Sequence, residues 1–243
     1  MTINSARHWK VKKWKELYVG ADRNSEYFAT ENIRMLNYAT ERGLLTEFVI
    51  RERTRPRNLF DQMDRIWVSE EVAEEIGMRK NWFAVIKKPK LSIESFDRIL
   101  LLDNFQEAGD LGTIIRTANC FGFDGIMLTG GSINPWTRTV STSAHFHALE
   151  VPIISLPFAD AIRMLRDHHV SLVTVGRRKA VPVEQIPFGD RMAILLPGSG
   201  ASSQSLMAVS DTVCDPDLDC GDPDIMVYAA TIMMYACSKK GGD

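Results

Sequence analysis

The sequence has 243 residues, 45% of them hydrophobic and 25% charged, with a formal net charge of −2 at pH 7. This is the composition of a soluble globular protein with room for one large domain or two smaller ones, and the whole-chain charge does not mark a nucleic-acid binder. No apolar run approaches the roughly 18 residues needed to cross a bilayer, and the first ten residues lack a secretory apolar core, so a cytoplasmic protein with no membrane partner is expected.

In chain order, Trp9, Trp14 and Tyr18 interleave with Lys10, Lys12, Lys13 and Lys15. That pattern suits an amphipathic helix with Trp packed inward, or a face that stacks bases and holds phosphates. Residues 31–42 have helical apolar spacing, stopped by Gly43. Strands are expected at 45–50, 65–69 and 82–86, with Ser69 capping a short helix over 70–76 whose first turn is acidic. Residues 87–92 are polar and interrupted by Pro89, the pattern of a linker. Beyond them, strands are expected at 98–103, 125–129, 151–154, 172–175 and 192–196, with helices at 111–121, 158–168 and 225–238. Strand and helix in alternation imply a parallel sheet covered on both faces.

Charge is uneven along the chain. Residues 1–60 carry twelve Lys and Arg against seven acids, and residues 211–243 carry seven Asp against two Lys. A basic N-terminal region suits phosphate contact by counterion release, and equally a solvated charged face. Cys120, Cys214, Cys220 and Cys237 form no CxxC pair, so reduced thiols are expected and a zinc site is not.

The segment from Asp103 to Gly122 carries most information. Gly109 and Gly112 are expected in the strand-to-helix turn, where glycine lets backbone amides approach a ligand. Arg116 follows among Ile114, Ile115 and Ala118. Burying that cation unpaired is costly, so it faces a cleft, meets a partner or pairs with a nearby acid.

The segment resembles motif 1 of the SpoU (TrmH-like) family of RNA methyltransferases at Asp103, Gly112, Ile114, Arg116, Thr117, Ala118, Phe121 and Gly122. The resemblance extends from about residue 98 to the end, including Ser143-Ala144 and Pro152. It implies an α/β fold: a parallel-sheet domain over 93–243 with a C-terminal trefoil knot, an exception to ordinary topology, preceded over 1–92 by a small α/β domain that binds the RNA substrate. It further implies a homodimer, S-adenosylmethionine as cofactor, and methyl transfer to a ribose 2′-hydroxyl of a structured RNA, tRNA or rRNA. Carried over by position, Arg116, Asp110 and Ser199 are the implied catalytic residues. Leu196, Pro197, Gly198, Gly200, Asp215, Pro216, Asp224 and Ile225 are the implied cofactor-binding set.

The chain departs from the family at several of these positions. Asp110 replaces an asparagine, Pro197 the first glycine of motif 2, and Ser199 its glutamate. Asp215-Pro-Asp217 stands where motif 3 has I-P-M, and residues 223–227 stand where it has S-L-N-V-S. An ionised Asp215 needs a hydrogen-bonding partner where an aliphatic residue would pack on adenine. The departures keep two alternatives open: a catalytically impaired RNA-binding or assembly protein on the same scaffold, and a methyltransferase of this fold with another acceptor. His145 stands at the family's usual glycine and, with His147, suits a general base, a structural or dimer contact, or less well a metal ligand. His168-His169 reads as a surface turn.

Overall fold

A computed structural model describes residues 1–20, 22–52, 64–176, 180–198, 206, 208–215, 230, 231 and 233–235. The chain divides into two compact units, Met1–Lys90 with Trp136–Phe146, and Leu91–Pro135 with His147–Asp243.

The first unit contains β1 (Thr2–Ile3), α1 (Trp9–Val19), β2 (Tyr27–Thr30), α2 (Ile33–Glu41), β3 (Leu45–Arg51), β4 (Arg65–Val68), α3 (Glu70–Ile76), β5 (Trp82–Lys87) and, from later in the chain, α5 (Arg138–Ala144). Its sheet runs β1-β4-β3-β5-β2, parallel at β1–β4 and β4–β3 and antiparallel at β3–β5 and β5–β2. Side chains alternate across a strand. Accordingly Val49, Phe83 and Val85 pack with Val11, Trp14 and Leu17 of α1 and Val72, Ala73 and Ile76 of α3. Trp14 is therefore a core residue, as the amphipathic reading of α1 expects, whereas Trp9 lies 66% exposed. The short helices are fixed by their caps. Ser69 accepts from the Val72 amide and Asn32 from the Arg34 and Met35 amides, satisfying donors a helix start leaves open.

The second unit contains β6 (Arg98–Asp103), α4 (Ala108–Cys120), β7 (Gly125–Thr129), β8 (Ile153–Ser155), α6 (Phe158–Asp167), β9 (Ser171–Val175), β10 (Val181–Pro182), β11 (Met192–Pro197) and β12 (Thr212–Asp215). All described ladders are parallel, in the order β10-β12-β9-β11-β6-β7-β8. Ile99, Leu101, Met127, Leu172, Ala193 and Leu195 pack with Ala161, Ile162 and Leu165 of α6, while Leu100, Leu102, Ile126, Leu128, Ile194 and Leu196 are equally buried but outside that cluster. Both faces are thus covered, which explains the unbroken apolar runs of β6 and β11. From β6 the chain moves through β7 to β8, then crosses to β9 on the other side, and β11 later fills the place between β9 and β6. The direction of winding therefore changes at β6.

Two expectations need correcting. Gly109 and Gly112 are not in the turn after β6, because α4 starts at Ala108 and includes both. Glu107 at its N-cap makes no side-chain capping bond, so no capping residue marks the start. The strand expected at 151–154 begins two residues later, after Pro152. Of the helix expected at 225–238, residues 230, 231 and 233–235 are helical and the others lie outside the described residues. Among the described residues no helix is long and apolar enough to cross a membrane.

Candidate active site

In open α/β sheets, ligands lie beyond the carboxyl ends of the strands, at the point where the winding reverses. Here that edge is formed by the ends of β6, β7, β11 and β12. Register sets Pro197 of β11 opposite Asp103 of β6, and Leu196 opposite Leu102. The Gly198 amide then donates to the Asp103 carbonyl at 2.7 Å. A Cβ on Gly198 would lie 2.1 Å from the Asn104 carbonyl oxygen and 2.5 Å from its carbon, so this junction accepts only glycine. Asn104 itself has φ +51, a left-handed conformation asparagine tolerates better than most residues.

The β7 turn closes the same edge. The Thr129 hydroxyl donates to Asp103 Oδ1 at 2.7 Å, and the Asn104 amide donates to the Thr129 carbonyl at 3.1 Å. The Ser132 hydroxyl, fully buried, donates to the Thr129 carbonyl at 2.6 Å and accepts from the Phe105 amide at 2.9 Å. Three strand ends are thus interlocked through backbone groups and the Thr129 and Ser132 hydroxyls.

Asp215 ends β12 at this edge, partly buried, in register with Pro182 of β10. Burial pushes the preceding Cys214 thiol up to about 12, with Asp215 and Glu184 adding to the effect. That thiol stays protonated and is no nucleophile at neutral pH. Leu196 and Pro197 of β11, Gly198 just after it and Asp215 of β12 therefore sit on the carboxyl side of one sheet, where β11 and β12 are the neighbours of β9. Ser199, Gly200, Pro216, Asp224 and Ile225 lie outside the described residues, as do Cys220 and Cys237.

Asp110 and Arg116 both lie on α4. Asp110 is in the first turn, where the helix dipole favours an acid. The two are six residues apart, which is not the i,i+3 or i,i+4 spacing that brings side chains together on a helix. Arg116 is partly buried, and among the described residues its guanidinium makes no hydrogen bond or ion pair. Its helical neighbour Asn119 donates from Nδ2 to Glu150 Oε2 at 2.8 Å and lies 2.9 Å from His147 Nδ1. Burial lowers the His147 pKa from its usual value, Glu150 opposes this, and the Arg116 charge reinforces it. Asn119 and Glu150 are not apparent in the sequence as site residues, because their link spans 31 positions.

His145 belongs to the first unit. Asn32 Nδ2 lies 2.7 Å from its Nδ1 and also donates to the Thr142 carbonyl at 2.9 Å. Its backbone, φ 55 and ψ −148, is in a region used almost wholly by glycine. The surface turn expected at His168-His169 is present at the end of α6, with both residues exposed and the His168 ring stacked 3.7 Å from Phe96.

The fold and this edge define the class, a doubly covered parallel α/β protein with its ligand edge where the winding reverses. Within that class, residues 97–206 match the SpoU rRNA Methylase family. It is 26% identical over 208 residues to RlmP of Bacillus subtilis (strain 168), a 23S rRNA (guanosine(2553)-2′-O)-methyltransferase, covering 82% of this chain and 83% of that protein. In fold it matches an rRNA methyltransferase from Sinorhizobium meliloti with a TM-score of 0.79 at 20% identity, covering 100% of this chain and 99% of the other. It also matches the SpoU methyltransferase AviRb from Streptomyces viridochromogenes in complex with AdoMet, with a TM-score of 0.77 at 18% identity, covering 96% and 98% of the two chains.

Proposed function

We propose that this protein is an S-adenosylmethionine-dependent RNA methyltransferase acting on a ribose 2′-hydroxyl of tRNA or rRNA. The observation that carries the reading is Arg116. It keeps the position of the family's motif-1 arginine and is a partly buried cation with no hydrogen bond or ion pair among the described residues. RlmP, similar over most of both chains, supports a 2′-O acceptor. The AdoMet complex of AviRb supports the cofactor.

The residues at the sheet edge fit that cofactor. Its hydroxyls and ammonium need acceptors, which a carboxylate on Asp215 supplies. In this reading Leu196, Pro197, Gly198, Gly200, Asp215, Pro216, Asp224 and Ile225 hold it, as in the knotted domain the resemblance implies. Bound S-adenosylmethionine supplies an electrophilic methyl group. Arg116 orients the ribose-phosphate and stabilises the alkoxide that develops as the 2′-hydroxyl loses its proton, a role suited to a group that remains protonated. Asp110 in motif 1 and Ser199 in motif 2, on the cofactor side, stand at the family's other polar positions. Residues 1–92 form the RNA-binding part and 93–243 the methyltransferase part, working as a cytoplasmic homodimer.

One feature favours a second reading, an RNA-binding or assembly protein without catalysis. Asp110 and Asp215 place carboxylates where the family has an amide and an aliphatic side chain, and anions repel phosphate. Calorimetric titration with S-adenosylmethionine separates the two. Binding is expected, and no binding at millimolar cofactor leaves only the second reading. Arg116→Ala is expected to keep cofactor affinity and lose methyl transfer to rRNA or tRNA by about 100-fold or more. Lost cofactor affinity would mean that Arg116 serves the cofactor and not the acceptor.

A further inference from the structure

Asn119 stands one helical turn after Arg116 on α4, so the two side chains share a face. Its amide meets two groups from the segment after α5, Glu150 Oε2 at 2.8 Å and His147 Nδ1 at 2.9 Å. A carboxylate oxygen accepts only, so the amide must present its nitrogen to Glu150. The same nitrogen then faces His147, whose Nδ1 must offer a lone pair. A protonated Nδ1 would meet an N–H donor head-on.

We propose that Asn119 locks His147 as a neutral imidazole with its proton on Nε2, and that the locked ring is a positioning residue that leaves Arg116 as the cation for an RNA phosphodiester. Glu150 from its own segment and Arg116 from α4 are charged groups among the described residues that act on the ring. A charged ring would add a second cation beside Arg116 and would draw Glu150, now 4.0 Å from Nδ1, into an ion pair. With Asn119 occupying the carboxylate and the ring neutral, that switch does not occur in the free protein. Burial and the Arg116 charge both favour the uncharged ring, in agreement with the hydrogen bonds. This inference rests on the reading of Arg116 as the acceptor-side cation.

The lock has a measurable counterpart. A phosphodiester held at Arg116 brings a negative charge that offsets the guanidinium, so binding raises the His147 pKa. Long-range nitrogen–proton NMR of the whole protein, with imidazole nitrogens labelled, reads both tautomer and titration. Expected are an unprotonated Nδ1, a pKa below the ordinary 6.5, and an upward shift with millimolar dinucleotide UpU. Asn119→Asp is expected to raise the His147 pKa, since a carboxylate there accepts from a protonated Nδ1. In Arg116→Gln the free-protein value starts higher and UpU no longer moves it. An Nδ1-protonated tautomer in the free wild type overturns the lock, a test that needs no variant. No His147 shift with UpU, or an equal shift in Arg116→Gln, overturns the link to Arg116. Cofactor binding by calorimetry is independent of either result, so failure here is separable from failure of the methyltransferase reading.

Discussion

Two arginines in the two units are treated in opposite ways. Arg138 on α5 faces a carboxylate: its guanidinium lies 3.6 Å from Glu31 Oε2, and Glu31 is 3% exposed. That carboxylate also accepts from the Tyr18 hydroxyl at 2.6 Å and the Lys80 amide at 2.7 Å, while Tyr18 accepts from the Arg79 amide at 2.9 Å. Among the described residues Arg116 on α4 has no such answer, and Asn119 occupies the carboxylate of its cluster. A saturated buried network fixes structure, because leaving any member unpaired is costly. A half-buried cation with no partner among the described residues contributes little to folding. The comparison places Glu31 and Arg138 in the scaffold and agrees with the acceptor-side role proposed for Arg116.

The largest effect is expected at Glu31. Glu31→Ala strands Arg138, the Tyr18 hydroxyl and the Lys80 amide together, and should destabilise the first unit by about 3–5 kcal/mol in urea denaturation. Arg116→Ala should change stability by less than about 0.5 kcal/mol in the same assay. Equal losses in the two variants would erase the distinction. Gly198→Ala comes next. Its Cβ would penetrate the Asn104 carbonyl, which is backbone and cannot swing aside. A cost of about 1–3 kcal/mol is expected, with cofactor affinity lost more than global stability. Unchanged calorimetric binding would show that the strand-end junction is not part of the cofactor site.

The runs at 98–103, 125–129 and 192–196 announce themselves because both sheet faces are covered and every position can be apolar. β1 and β10 are two residues each, too short for any period, and β2 and β12 are four. These strands exist because a neighbour supplies hydrogen bonds, which is tertiary information. Arg116 was conspicuous as a lone cation among Ile and Ala. The junction of Gly198 with Asn104 depends on parallel register, and Asn119 with His147 depends on a contact across 28 positions. Neither has a local signature. Gly109 reads as a turn residue in the sequence, whereas it is tolerated in the first turn of α4.

A pH titration sharpens the scaffold side further. Burial pushes the Tyr18 phenol up to about 12 from 10, with the Glu31 hydrogen bond adding to it. The folded state therefore holds this proton more tightly than the unfolded chain. The resulting stability is complete below pH 10 and is lost as pH rises towards 12. Tyr18→Phe should flatten that part of the stability profile, and an unchanged slope would assign the loss to other groups.

A small effect is expected at His145, where strain and hydrogen bonding oppose each other. Its backbone costs about 1–3 kcal/mol for a residue with a Cβ. His145→Gly removes that strain but gives up the Asn32 contact, about 1 kcal/mol, and adds glycine's unfolded-state entropy, about 0.5–1 kcal/mol. The net change should be within about 1 kcal/mol. The informative comparison is with His145→Ala, which loses the same contact and keeps the strain. At most positions alanine is the more stable of the two. Here glycine should exceed alanine by about 1 kcal/mol in chemical denaturation, since only the Cβ distinguishes them. Alanine equal to or better than glycine would mean that the turn relaxes to an ordinary conformation once the imidazole is gone, and that the Asn32–His145 contact, not the chain path, holds the backbone where it is.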